Sequence, residues 1–266
     1  TEQIRHGTFK PAGYEVDFVQ VNELNVENMM LDAEHKMRLV GKIDRMDIRE
    51  TEDAVYVRII DYKSGKATFQ LLNLYYGQQL QLVVYLNAAM EQLKKTYPEK
   101  EIVPAGIFYY RMDDPMVDAD AEDEEKIMEH ILSELRLNGL VSLEPEVYQQ
   151  MDVGLAGKSE VLPLTLKTDG TPAKKGTSGA GHKDFEAMTA FVNRKICDAA
   201  EKILSGDIDI RPFQMEQKTG CDHCPYHSVC GFDPKIQGFT FEKNKKLKDE
   251  EVWDKIYREG GQPDEC

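Results

Sequence analysis

Between residues 37 and 63 the chain twice enters a run in which Val, Ile and Met are set among charged side chains, and the polar stretch Arg49 to Asp53 separates the two runs. The pattern predicts a β-hairpin. With the turn centred on Glu52 and Asp53, residues whose numbers sum to 105 face each other, so Asp44 stands opposite Asp61. Alternation puts Lys63 on the face of Asp61, about 7 Å along the strand. Other elements follow from the same kind of reading. Tyr14 to Gln20 alternates like a strand, and Ile102 to Arg111 reads as another. In residues 78–95, Leu82, Val83, Leu86, Ala89, Met90 and Leu93 recur at helical spacing, with Lys94 and Lys95 where the helix dipole favours cations. An acidic helix is expected over about 122–138, and a short strand over Val161 to Leu166. The Gly- and Thr-rich TDGTPAKKGTSGAG that follows reads as a mobile loop. A helix over about 183–204 buries a stripe of Phe185, Met188, Val192, Ile196, Ala199 and Ile203, and Phe239 to Tyr257 closes the chain around Trp253. These elements predict an α/β (α+β) domain with a mixed sheet flanked by helices, without internal repeats.

Two carboxylates opposed on a sheet repel. A carboxylate that follows Ile59-Ile60 at the end of a strand is costly to bury unless something pairs with it. Mg2+ takes oxygen ligands and needs only one or two carboxylates besides substrate phosphate and water, and a neighbouring ammonium neutralises developing charge. Asp44, Asp61 and Lys63 are therefore candidates for metal-assisted phosphodiester hydrolysis. For a bare Asp-x-Lys, a solvated hairpin face is the competing explanation. Gln81 and Tyr85 are four apart and share one face of the following helix.

The succession GKIDRMD, IIDYKSG and QLVVY resembles the RecB-like branch of the PD-(D/E)XK nuclease superfamily. Within that branch it is most similar to the AddB-type nuclease domains that end bacterial helicase-nuclease subunits. The resemblance implies a restriction-endonuclease-like core, with Asp44, Asp61 and the Tyr62 carbonyl as metal ligands. It implies Lys63 as catalytic lysine and Gln81 with Tyr85 as the helical motif beside the site. Implied with it are Mg2+, a DNA substrate, a role in double-strand-break repair and recombination, and an AddA-type helicase-nuclease subunit as partner. Glu15, on the first strand, is a further acidic candidate near the metal. His35 is better read as an exposed residue of an entry loop.

Three of the five cysteines, Cys221, Cys224 and Cys230, form a Cys-x2-Cys-x5-Cys run. That spacing suits a metal or an iron–sulfur cluster better than disulfides, and a cluster needs four ligands. The resemblance implies a [4Fe–4S] cluster whose fourth cysteine lies far upstream; Cys197, on a predicted helix, and Cys266, at the end, are poor fourth ligands. Zinc stays open because His223 and His227 interleave the cysteines, and so does a loop of reduced thiols. The chain opens on Thr, and only thirteen residues precede Tyr14. The expectation is a C-terminal fragment lacking the family's usual first helix, with an active site that is incomplete on its own. Its divisions are a nuclease core at 1–210, a cysteine segment at 211–235 and a closing segment at 236–266.

A net charge of −15 sits awkwardly with a ligand made of phosphates. Much of the acid is confined to residues 113–135, while lysines gather at Lys167, Lys174, Lys175 and Lys183 and again at Lys243, Lys245, Lys246 and Lys248. Either group could border a DNA path. No apolar run approaches the roughly 20 residues of a membrane span, and no signal peptide heads the chain, so a cytoplasmic protein is expected. GKS at 157–159 lacks the first glycine of a phosphate-binding loop, where Asp152 stands instead. The alternative to a nuclease is a non-catalytic DNA-binding or docking module on the same fold, stabilised by the cluster.

Overall fold

In a computed structural model, which describes residues 2–18, 29–30, 36–37, 39–65, 67–113, 115 and 124–260, the predicted hairpin is the centre of a mixed sheet. One helical turn, α1 (Glu2–Arg5), leads to β1 (Lys10–Asp17), and two short strands, β2 (Met29–Met30) and β3 (Lys36–Met37), pair with each other. The hairpin is β4 (Lys42–Glu50) and β5 (Ala54–Lys63). Thr51 closes its turn, donating N–H to the Ala54 carbonyl at 2.8 Å while its Oγ1 accepts from Ala54 N at 3.1 Å. From Glu50 with Val55 to Arg45 with Ile60, the ladder keeps the register expected from sequence.

After β5 come α2 (Leu71–Tyr75), α3 (Gln81–Thr96) and β6 (Glu101–Arg111), which lies parallel to β5. A parallel neighbour requires a crossover of a dozen or more residues, and α3 supplies its length. Next are α4 (Glu124–Glu134), β7 (Asn138–Ser142), α5 (Pro145–Met151), β8 (Gly179–Ala180) and α6 (His182–Leu204). The six-stranded sheet runs β1-β4-β5-β6-β7-β8. A smaller sheet, ordered β10-β9-β11, joins β9 (Phe213–Met215), β10 (Lys218–Thr219) and β11 (Glu242–Lys243), with α7 (His227–Cys230) between β10 and β11. The closing helix, α8 (Asp249–Gly260), packs on α6. No helix among the described residues is long and apolar enough to cross a membrane.

Strand alternation divides the core in two. Val55, Val57 and Ile59 of β5 pack with Met46 and with Leu82, Val83, Leu86 and Ala89 of α3. Ile60 of the same strand turns the other way, towards Phe9, Phe108, Val147 and Tyr148. That second face also holds charge. Asp47, fully buried, accepts from Arg45 Nε at 2.6 Å and Nη2 at 2.8 Å, and from Arg58 Nε at 3.0 Å and Nη2 at 2.8 Å. Arg58 also lies over the Phe9 ring, 5.1 Å from its centre.

Several expectations give way. The stretch 161–166 forms isolated bridges, Lys158 with Thr165 and Leu166 with Pro172, rather than a strand. The segment expected to be mobile is tied back by Ala173 N to the Thr165 carbonyl and Ser178 N to the Pro163 carbonyl, both 2.8 Å, and its last residues become β8. Ser159 of the GKS triplet is buried, donating to Asp152 Oδ2 at 2.6 Å, so it faces no phosphate. On α6, Ala199 falls on the solvent face and Ile203 in the exposed last turn; Phe191, Cys197 and Ala200 complete the buried stripe. α2, β7 and α5 are too short for periodicity to mark them.

Asp47 is the one carboxylate shared by two buried guanidiniums. Asp47→Ala strands both and is expected to lower stability by about 3–5 kcal/mol in urea unfolding, whereas Asp53→Ala, at the exposed turn, changes it by about 0.5 kcal/mol or less.

Candidate active site

The ladder that pairs Arg45 with Ile60 brings Asp44 and Asp61 together one step further on, and Asp44 Oδ2 accepts the Tyr62 backbone N–H at 2.8 Å. Gly41 lets this end of β4 close up, because a Cβ there would stand 2.5 Å from the Phe18 ring. Asp61 is buried and Asp44 half-buried. Lys63 Nζ reaches back to Asp61 Oδ2 at 2.5 Å. It also meets Gln81 Oε1 at 3.2 Å, and Gln81 Nε2 donates to the Tyr85 hydroxyl at 2.8 Å. The first turn of α3 thereby fixes the position of the lysine. Tyr85 is held in turn by an edge contact with Phe18, ring centres 6.0 Å apart.

Burial pushes the Asp61 carboxyl above its ordinary pKa; the Lys63 ammonium opposes the shift and the Asp44 charge adds to it. Asp61 Oδ2 is buried and accepts no well-aligned hydrogen bond among the described residues, its close contact being the ion pair with Lys63. Two adjacent carboxylates, one of them buried, offer the oxygen donors of a hard divalent cation, whose charge would favour the ionised form that burial opposes. The backbone carbonyl of Tyr62 belongs to the same strand end.

Other candidates sit elsewhere. Glu15 falls opposite Asp44 in the β1–β4 register, but its backbone is left-handed (φ 51°) and its exposed carboxylate pairs with Lys42 at 3.3 Å. His35 and Cys266 lie outside the described residues. Cys221, Cys224 and Cys230 carry free thiols, half-buried around α7. Burial raises the Cys221 pKa, and the charges of Cys224 and Cys230 raise it further, so the three sulfurs are electrostatic neighbours. Among the described residues no three His, Cys, Asp or Glu side chains are already arranged around one metal position.

Two participants escape a reading by motif. Tyr109 pairs with Asp61 across β5–β6, and Lys63 Nζ lies 5.2 Å from its ring centre. Burial and the Asp61 charge raise its pKa, which keeps the phenol neutral. Its signal is the alternation of β6, legible only once the parallel register with β5 is known. Behind the sheet, burial works against the charge of Arg45, but Asp47 and the Tyr62 side chain outweigh it and hold the guanidinium's pKa above its ordinary value. Arg58 in the apolar run VYVRII is the sequence signal for this cluster.

A mixed sheet with two carboxylates and a lysine at the end of adjacent strands, backed by a helix carrying Gln and Tyr, defines a class of phosphodiester-cleaving folds. The chain matches the PD-(D/E)XK nuclease superfamily over residues 1–231 and belongs to it. It is similar to an ATP-dependent helicase/deoxyribonuclease subunit of Thermoanaerobacter sp. (strain X514), at 38% identity over 260 residues, covering 97% of this chain and 22% of that protein. The same-named subunits of Lachnoclostridium phytofermentans and Clostridium acetobutylicum match at 38% over 268 residues and 36% over 259, again 97% of this chain and 22% of theirs. The chain thus spans under a quarter of the length of these curated relatives.

Because burial raises the Asp61 pKa, the fold favours its neutral form, and ionisation at higher pH costs stability. Asp61→Asn is expected to melt above the parent at pH 7 in EDTA, with the gap closing as pH falls towards the ordinary value of 3.8. A variant that melts lower at pH 7 would show that the Lys63 ion pair outweighs burial.

Proposed function

We propose that this chain is a Mg2+-dependent deoxyribonuclease domain of a bacterial helicase-nuclease, acting as an exonuclease in double-strand-break repair and recombination. The observation that carries the reading is the buried Asp61 opposed to Asp44, with Lys63 Nζ against a carboxylate oxygen that lacks a well-aligned donor. The wider setting is supported by the relatives' shared name, which makes each of them a subunit of an ATP-dependent helicase/deoxyribonuclease. The proposal includes DNA as substrate, an AddA-type helicase-nuclease subunit as partner and a cytoplasmic location.

Asp44, Asp61 and the Tyr62 carbonyl are the groups that would hold Mg2+, which when bound supplies a Lewis acid and an acidified water. The chemistry is in-line attack of a water oxygen on phosphorus, with the bond from phosphorus to one bridging sugar oxygen breaking. Lys63, already aimed by Gln81, orients the attacking water or offsets negative charge on the phosphate oxygens. Tyr85 fixes Gln81, and the Tyr109 ring walls the ammonium from solvent on one side.

For Cys221, Cys224 and Cys230 the proposed ligand is a [4Fe–4S] cluster, supported by three free thiols within one short segment. The thiols fit it in part, since a cluster requires a fourth ligand. The full-length protein, prepared anaerobically, is expected to hold iron and show broad visible absorption, both lost in Cys224→Ser; stoichiometric zinc without colour would replace the cluster by a zinc site.

In the longer parent protein, Asp61→Ala and Lys63→Ala are each expected to reduce Mg2+-dependent cleavage of single-stranded DNA by about a hundredfold or more. Saturating Mg2+ is expected to raise the melting temperature of the parent and of Lys63→Ala, but not of Asp61→Ala. Parental cleavage by both variants would overturn the site assignment.

A further inference from the structure

A cleft of about 580 Å3 opens between the α2 region and the small sheet. Gln70 and Leu72 line one wall, and Met215 to Lys218, with Lys246, line the other. The size lies within the roughly 300–1,000 Å3 of sites that enclose small organic ligands.

The first wall is continuous with the active site. Gln70 N donates to Gln79 Oε1 at 2.8 Å, and Gln79 Nε2 donates to the Thr68 carbonyl at 3.0 Å. Two residues on, Gln81 meets Lys63. The second wall is pinned to the same connection, because the Tyr76 hydroxyl donates to the Lys245 carbonyl at 2.8 Å and accepts from Lys245 N at 2.9 Å. Its shape comes from a tight turn, Glu216 (φ 54°) and Gln217, between β9 and β10.

The lining has the chemistry of a nucleotide strand. Lys218 and Lys246 offer cations, Gln70 and Gln217 offer amides, and Leu72 with Met215 offers apolar surface for a base. Glu216 pairs with Lys246 at 3.2 Å, but both side chains are well exposed. Such a pair is worth about 0–1 kcal/mol, so a phosphate can displace the carboxylate. Asp222, the other acid near Lys218, is engaged by Thr219 N at 2.9 Å and Thr219 Oγ1 at 2.6 Å. On a chain of net charge −15, a cleft carrying two lysines against one glutamate is a local inversion of sign.

We propose that this cleft binds single-stranded DNA on its way to Asp44 and Asp61, with phosphates on Lys218 and Lys246 and a base against Leu72 and Met215. The inference rests on the nuclease reading above for its substrate. Steering is thereby local, and the acidic remainder of the surface repels strand that is not in the cleft.

The test uses the full chain and a fluorescein-labelled oligothymidylate in EDTA, with anisotropy read across a salt series. Lys218→Ala/Lys246→Ala is expected to bind roughly tenfold more weakly at low salt, with a log–log salt slope shallower by about 1.4, or about 0.7 per phosphate contact on a single strand. Lys94→Ala/Lys95→Ala, exposed in the last turn of α3, removes the same charge elsewhere and is expected to keep the parental slope. Matching melting curves establish that the variants fold. Parental affinity and slope in the cleft variant, equal losses in both variants, or no binding by the parent would each overturn the proposal. Mg2+-dependent cleavage by the longer parent protein, against its Asp61→Ala variant, tests the nuclease reading separately: binding through the cleft without such cleavage removes that reading and leaves the cleft.

Discussion

The placement of Asp44 against Asp61 depends on a second acid that never touches them. Asp47 sits on the opposite face of the same strand and gathers Arg45 and Arg58 into one buried cluster. It ties β4 to β5 through side chains as well as backbone, three residues from Asp44. If β4 slipped by one residue against β5, Arg45 and Asp47 would turn to the α3 face, away from Arg58, and Asp44 to the Phe108 face, away from Asp61. The two acidic positions are thus coupled: a carboxylate shared by two guanidiniums in the interior supports the register that sets two carboxylates against one ammonium at the strand ends.

Two carboxylates against one ammonium give the candidate site its electrostatic character. Asp61 is buried enough for its charge to be costly, and Lys63 offsets only part of that cost. Helix α3 contributes through its first turn alone, with Gln81 and Tyr85 at the site and the apolar face further along packed on the sheet. The connection before α3 does a different job. Through Gln79 and Tyr76 it ties the start of α3 to the chain that follows the small C-terminal sheet, by way of the Lys245 backbone.

Legibility followed the length and regularity of each signal. The hairpin was readable because alternation over β4 and β5 and a short polar turn admit only one favourable register, and α3 because six apolar positions recur at helical spacing. Short elements were not. Residues 71–75, 138–142 and 145–151 are recruited by packing, and two-residue β8 exists because β7 offers an edge beside it. Glu15 was legible only in its register, for a local reason: its left-handed backbone turns the side chain to Lys42, and strand alternation assumes extended residues. The resemblance carried by GKIDRMD, IIDYKSG and QLVVY agrees with the superfamily match, which covers the core and most of the cysteine segment.

Local sequence sufficed for the superfamily, the hairpin register and the identity of the acids and lysine at its open end, because these are encoded within about twenty consecutive residues by alternation and turn chemistry. What those groups experience was settled only by the folded arrangement. The burial of Asp61, the aim of Lys63 from Gln81, the Tyr109 ring beside it and the cleft bounded by Lys218 and Lys246 arise from contacts between segments remote in the chain. Such contacts set dielectric surroundings and approach, and no local pattern of residues specifies either.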